Sequence, residues 1–185
     1  MNEKAEKGIQ SFLEGLSLNI KELNMEKTPA RVASMYEELF SGIGKETTSV
    51  WGEIFATDYE GLVSALELPF YSICEHHLMP FYGSVDIVYQ PRFGKVVGLS
   101  KLGALVKLLS AKPQLQERLT KEIVDAIMTD LDAEGVLVRI KAVHLCMLIR
   151  GEMQPNTNVV TMECRGSLGE NTKGHEDALV MIGRT

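Results

Sequence analysis

The chain has 185 residues, 45% of them hydrophobic and 24% charged, with a formal net charge of −6. That is enough for one soluble globular domain with a real core and a small helical extension. The acidic balance and the lack of any eighteen-residue apolar run exclude broad nucleic-acid binding and a membrane span, while leaving room for a small anionic ligand at a local basic cluster.

The N-terminal "MNEKAEKG" carries both signs of charge and no apolar stretch follows it, which is not the pattern of a signal peptide. "GIQSFLEGLSLNI" then places Ile9, Phe12, Leu13 and Leu16 at helical spacing. A second amphipathic helix is expected from "TPARVASMYEELFSGIG". Thr28 suits its N-cap and Pro29 its first position, Val32, Met35, Tyr36, Leu39 and Phe40 form the apolar stripe, and Gly42 or Gly44 ends it.

Strands follow. "GSVDIVYQP" alternates Val85, Ile87 and Tyr89, and after a turn at Pro91 to Gly94 "KVVGL" reads as a short return strand. A long helical region begins at Ser100, is interrupted at Pro113 and resumes through Leu115, Leu119, Ile123, Ile127 and Leu131 as far as Gly135. Beyond it the period drops to two, with Val136, Val138, Ile140 and Ala142 opposite Arg139 and Lys141. "NVVTMECRG" reads as a last strand, and the tail from Ser167 as polar and loosely ordered. The sum is an α+β fold: an antiparallel sheet with helices packed on one face, preceded by an N-terminal helical pair. The expected division is a helical extension over residues 1–45 and a catalytic domain over 46–185.

Chemistry concentrates in "SICEHHLMPFYG". Cys74 and His77 have the Cys-x-x-His spacing with which a tight loop closes two ligands on one metal ion. A third ligand is available in "AVHLCMLIRG", where His144 and Cys146 would project from one face of a strand. Two thiolates and one imidazole suit zinc, and three protein ligands leave the fourth position for water, as in catalytic sites. A closed structural zinc would need a fourth ligand, Cys164 or His175, although Cys164 also reads as a buried inert thiol. Three widely spaced cysteines do not form a disulfide framework, and the expected setting is cytoplasmic, with reduced thiols. His76 and His144 remain as imidazoles beside the metal, able to give or take protons near neutrality.

Three further features border this centre. Ser100 and Lys101 fall where a helix N-terminus favours an anion, or are simply an N-cap serine and a solvated lysine. Gln116 and Glu117 would place an amide and a carboxylate where they can read a ring edge bearing N–H donors, or are solvated helix groups. Arg150, four residues after Cys146, reaches toward an anionic tail or caps a turn.

Together "TPARVASMY", "CEHHLMPFYG", "VVGLSKL", "QLQERLT" and "HLCMLIRG" resemble, in content and order, the GTP cyclohydrolase I family, from about residue 8 to residue 168. The resemblance implies the tunnelling fold (T-fold), assembled as a homodecamer of two pentamers with active sites at subunit interfaces. It implies Zn2+ on Cys74, His77 and Cys146. Glu117, with Gln116 alongside, would anchor guanine, and Ser100, Lys101, Arg150 and Arg31 would hold the ribose and phosphates. It further implies hydrolysis of GTP at carbon 8 with release of formate and formation of a dihydropterin. His144 would protonate the neighbouring ring nitrogen, and His76 and Ser100 would carry later proton transfers. No nucleic acid or membrane partner is expected.

Two positions depart from the family pattern. Ser34 stands where a lysine is usual and Ala104 where an arginine is usual, both facing the triphosphate, and a Ser/Thr-rich run is reduced to Thr157 and Thr161. Each charge-assisted hydrogen bond contributes about 1.5–3 kcal/mol, so two lost cations point either to a rearranged phosphate pocket or to a relative that opens a less phosphorylated nucleotide or stops at an intermediate. A zinc-stabilised ring that only binds a purine is the non-enzymatic alternative; it has no need of His76 and His144.

Overall fold

The computed structural model describes residues 3–152 and 157–183. In chain order the elements are helices α1 (Glu3–Gly15) and α2 (Thr28–Leu39), strands β1 (Ile54–Ala56), β2 (Val63–Cys74), β3 (Pro80–Gln90) and β4 (Lys95–Val97), helix α3 (Leu99–Ser110), strand β5 (Pro113–Gln114), helix α4 (Gln116–Asp130), strand β6 (Gly135–His144), helix α5 (Leu145–Leu148), strand β7 (Val159–Gly166) and helix α6 (Lys173–Met181). They fall into two compact units, one ending at Ser41 and the other beginning at Gly42.

The first unit holds the expected helical pair with shifted ends. α1 stops at Gly15, and Ser17 adopts a left-handed φ of 61°, so Leu16 lies beyond the helix. Thr28 is not the N-cap: Lys27 occupies that place without a side-chain cap, and Pro29 sits in the first turn, where its missing N–H costs nothing. α2 ends at Leu39, before either glycine, and Met35 of the expected apolar stripe is exposed.

The second unit is the expected α+β fold. Its main sheet has the order β5-β2-β3-β6-β7, antiparallel throughout except for the short parallel β5–β2 pair. Tyr89, Ile87, Val85, Val136, Val138 and Ile140 point from β3 and β6 into the main core, where α3 supplies Leu102 and Leu105 and α4 supplies Leu119, Ile123 and Ile127. Burial of each such side chain contributes about 1.5–3 kcal/mol. The opposite sheet face is also partly covered. Val88 and Leu137 pack there with Leu168, Ala178 and Ile182. Residues 167–183 therefore fold back onto the sheet, with Lys173–Met181 helical, rather than forming a loose tail. The Thr172 hydroxyl accepts from the His175 N–H at 3.0 Å and caps α6.

Three elements differ from expectation. β2, the longest strand, carries no clean alternation, because a bulge between Ala65 and Leu68 breaks its period. β4 does not return onto β3 but pairs with β1 in a separate two-stranded sheet. Pro113 divides the long helical region completely, and the chain there forms β5 before α4 starts.

A charged staple holds the bulge. Asp86 of β3 accepts from the Glu67 N–H at 2.8 Å and pairs with Arg139 of β6 at 2.8 Å, and Arg139 in turn donates to the Ile182 carbonyl closing α6. Further along β3, Gly83 permits a close approach: an added Cβ would lie 1.9 Å from the Lys141 carbonyl oxygen. That approach belongs to the β3–β6 register, which sets Phe81 opposite His144 at the end of the sheet where the sequence places its chemistry.

Candidate functional site

β2 ends at Cys74 and β3 begins at Pro80, so the "CEHHLM" segment is a tight hairpin loop. It is closed by the Cys74 N–H on the Met79 carbonyl at 2.8 Å and the Leu78 N–H on the Cys74 carbonyl at 2.9 Å, with Leu78 left-handed at φ 52°. Glu75 is anchored from outside, its N–H on the Gln114 carbonyl and its carboxylate against Arg118 at 2.7 Å. The loop thereby fixes the three-residue step from Cys74 to His77.

The third member of the group arrives by register. β6 lies beside β3 and ends at His144, where the chain turns into the single helical turn α5 carrying Cys146. The expectation of His144 and Cys146 on one strand face is therefore corrected, since the strand stops between them. Cys146 still reaches the hairpin loop: ligand atoms of Cys74, His77 and Cys146 all lie within 4.8 Å of one another, with both cysteines buried and the histidine exposed. Tetrahedral zinc with sulfur and nitrogen ligands needs separations of about 3.5–3.8 Å, so small side-chain movements close the group, and the donor set fits that ion. The thiol chemistry agrees. Burial, the hydrogen bond to Cys74 and the proximity of that second sulfur raise the Cys146 thiol above its ordinary value. A bound cation would reverse that and favour the deprotonated sulfur.

Neither alternative ligand joins this group. Cys164 packs against the second core cluster, where burial and the nearby Glu170 and Glu163 raise its thiol. His175 uses Nδ1 on the Leu168 carbonyl at 3.1 Å.

His144 ends β6, two residues before Cys146. Its ring stacks on Phe81 with centroids 4.7 Å apart and planes within 5°. Burial pushes the imidazole below its ordinary pKa, and the charge of nearby Glu117 offsets only part of this. His76 is exposed and meets His77 edge-on at 6.1 Å between ring centroids.

The remaining candidates divide. Glu117, on the first turn of α4, is exposed and within electrostatic reach of His144. Gln116 beside it is only 2% exposed. Its amide is spent on protein groups, namely the Ile140 and Val159 carbonyls, Thr161 Oγ1 and His144 Nε2. Both ends of the amide are thus engaged within the protein. Arg150 donates to His77 Nε2 at 3.2 Å and pairs with Glu152 at 3.1 Å. Ser100 and Lys101 occupy the first turn of α3, capped by Gly98 rather than by the serine. Lys101 has no ion-pair partner among the described residues. Arg31 lies in the first unit, on the first turn of α2, with its side chain exposed, and Ser34 and Ala104 are exposed on α2 and α3.

Sequence reasoning missed the Gln116–His144 bond, the Phe81 stack and the Arg150–His77 contact. Each joins residues at least 28 positions apart in the chain. The only local signal was the polar Gln116 at the point where an apolar helical pattern begins.

A family model described as GTP cyclohydrolase I matches residues 5–183. The chain is 46% identical over 180 residues to GTP cyclohydrolase 1 of Clostridium perfringens, covering 97% of both chains. It is 45% identical over 179 residues to the protein of the same name from Pelotomaculum thermopropionicum, covering 97% of this chain and 95% of that one. Among solved structures, the archaeosine synthase QueF-Like in its apo form overlays 60% of this chain with a TM-score of 0.46 and 18% identity. With one family spanning nearly every described residue and relatives matched end to end, the chain belongs to the GTP cyclohydrolase I family.

Proposed function

We propose that this chain is a zinc-dependent GTP cyclohydrolase I, which hydrolyses the guanine imidazole ring of GTP at carbon 8, releases formate and yields 7,8-dihydroneopterin triphosphate. The observation that carries this reading is the convergence of Cys74, His77 and Cys146. Zinc held by those three residues would supply a water acidified enough to act as nucleophile near neutral pH.

The protein's own groups do the rest. Glu117 offers a carboxylate to the N–H donors of the guanine edge, orienting the ring so that carbon 8 faces the metal side. His144, stacked on Phe81, delivers a proton to the ring nitrogen that leaves carbon 8. His76 and Ser100 exchange protons in the later ring opening and reclosure. Lys101, Arg150 and Arg31 hold the ribose and phosphates.

On its family membership we assign the working form as a homo-oligomer, a decamer of two pentamers with sites at subunit interfaces. Residues 46–185 form the catalytic domain and residues 1–45 a helical extension.

A second reading has one observation in its favour. Ser34 and Ala104 remove two cations expected at the triphosphate, which fits a substrate with fewer phosphates. Zinc-loaded protein supplied separately with GTP, GDP, GMP and guanosine decides between the two, with formate release and pterin fluorescence followed together. Formate and fluorescence from GTP alone establish the first reading. Preference for a shorter phosphate chain, or formate without pterin, establishes the second. No formate from any of the four refutes both.

A further inference from the structure

His144 has two ring nitrogens, and among the described residues Nε2 alone has a protein partner: it lies 2.8 Å from Gln116 Oε1. An amide can present either its oxygen or its NH2 group at such a place, and the two choices impose opposite tautomers on the imidazole. The surroundings of Gln116 remove the ambiguity. Its Nε2 lies 3.1 Å from each of the Ile140 carbonyl, the Val159 carbonyl and Thr161 Oγ1. Backbone carbonyls only accept, so turning the amide over would press its oxygen against two carbonyl oxygens at a side chain that is 2% exposed.

The hydroxyls beside it point the same way. Thr120 donates to the Gln116 backbone carbonyl at 2.8 Å, which uses its one proton. In the 2.7 Å contact between Thr120 and Thr161, the donor is therefore Thr161, leaving its oxygen to accept from the Gln116 amide. Every proton in the chain Thr161, Thr120, Gln116 and His144 thus has a fixed direction. The Phe81 stack fixes the plane of the imidazole but tolerates a half-turn within it, which would exchange Nε2 with a ring carbon. The Gln116 bond selects one of those two orientations.

We propose that Gln116 is a positioning residue that holds His144 with its proton on Nε2, so that Nδ1 is the nitrogen that exchanges protons with the substrate. Gln116 acts through His144 and does not touch the ligand. Thr161, one of two hydroxyl residues left in the 157–161 run, keeps the amide turned the right way. This inference rests on the cyclohydrolase reading for its catalytic half only.

The test is a one-bond and long-range proton–nitrogen NMR correlation on zinc-loaded, 15N-histidine-labelled full-length protein at about pH 8, where an ordinary imidazole is neutral. His144 is assigned by its loss in His144→Asn. The expected wild-type result is a slowly exchanging proton on Nε2 and none on Nδ1, and Gln116→Leu should lose the slow exchange. In steady-state kinetics with GTP, Gln116→Leu should lower kcat about 10–100-fold, a fraction of the 10²–10⁴-fold that positioned acid–base groups contribute, with KM within about threefold. A proton on Nδ1 in the wild type overturns the proposal without any variant having to fold. Raised KM at unchanged kcat overturns it in favour of direct substrate contact by Gln116. No formate from GTP with the Nε2 proton in place refutes the cyclohydrolase reading and the use of Nδ1 in catalysis, while the tautomer assignment stands on the spectrum.

Discussion

Removing the Asp86 carboxylate tests how the second unit is held together. Its side chain is 6% exposed and its partner Arg139 18%. One carboxylate oxygen takes the Glu67 N–H at 2.8 Å, and the other takes Arg139 Nε at 2.9 Å and Nη2 at 2.8 Å. In Asp86→Ala the partly buried guanidinium keeps the Ile182 and Gly183 carbonyls but loses the Asp86 carboxylate. Breaking such a buried pair from one side costs about 3–5 kcal/mol, and Glu67 also loses the bond that holds its left-handed φ of 54° in the β2 bulge. With a urea m-value of about 2 kcal/mol/M, the midpoint should fall by about 2 M. Trp51, the single tryptophan and 3% exposed, reports the transition by fluorescence at fixed protein concentration. Arg139→Met should be similarly damaging. The double variant removes both charges and should cost at least about 2 kcal/mol less than the two single losses added together. A loss below about 1 kcal/mol for Asp86→Ala, or strict additivity, would refute the claim that this pair clamps the bulge and the α6 terminus onto the sheet.

Three other outcomes are expected. Cys146→Ser should reduce bound zinc, measured by elemental mass spectrometry, to a small fraction of one per chain, and formate release from GTP by about 10³-fold or more. Restoring the usual cation with Ala104→Arg should lower KM for GTP about 10–100-fold, from the 1.5–3 kcal/mol of a charge-assisted bond, and an unchanged KM would show that local groups already replace it. Asp125 tests pH linkage on α4. Burial raises its carboxyl, but hydrogen bonds from Lys121 and Arg165 outweigh that and hold it below its ordinary value. Its stabilisation is therefore present above the ordinary carboxylate range and is lost as pH falls through the depressed value. Because the side chain is 38% exposed, Asp125→Asn should cost less than about 1 kcal/mol at neutral pH, measured by urea melts, and nothing once the carboxyl is protonated.

The comparison of sequence with structure turns on how local each signal is. Cys74 and His77 were legible because three residues of one loop carry the whole spacing, and β6 because Val136, Val138 and Ile140 alternate without interruption. β2 was not, since its bulge at Ala65 to Leu68 breaks the period and Asp86, 19 residues away, compensates for it. α6 was missed because its few apolar residues have a partner only once Val88 and Leu137 expose a second apolar face of the sheet. The same division runs through the site. The sequence by itself named the candidate ligand types, the two candidate histidines and the candidate cations, because these are properties of single side chains and short spacings. Only the tertiary structure decided that Gln116 faces inward to His144, that Cys146 leaves the strand on a helical turn, and that Phe81 backs the imidazole. Those relations depend on the register of β3 against β6 and of β6 against β7, and register is a property of paired strands that no single segment carries.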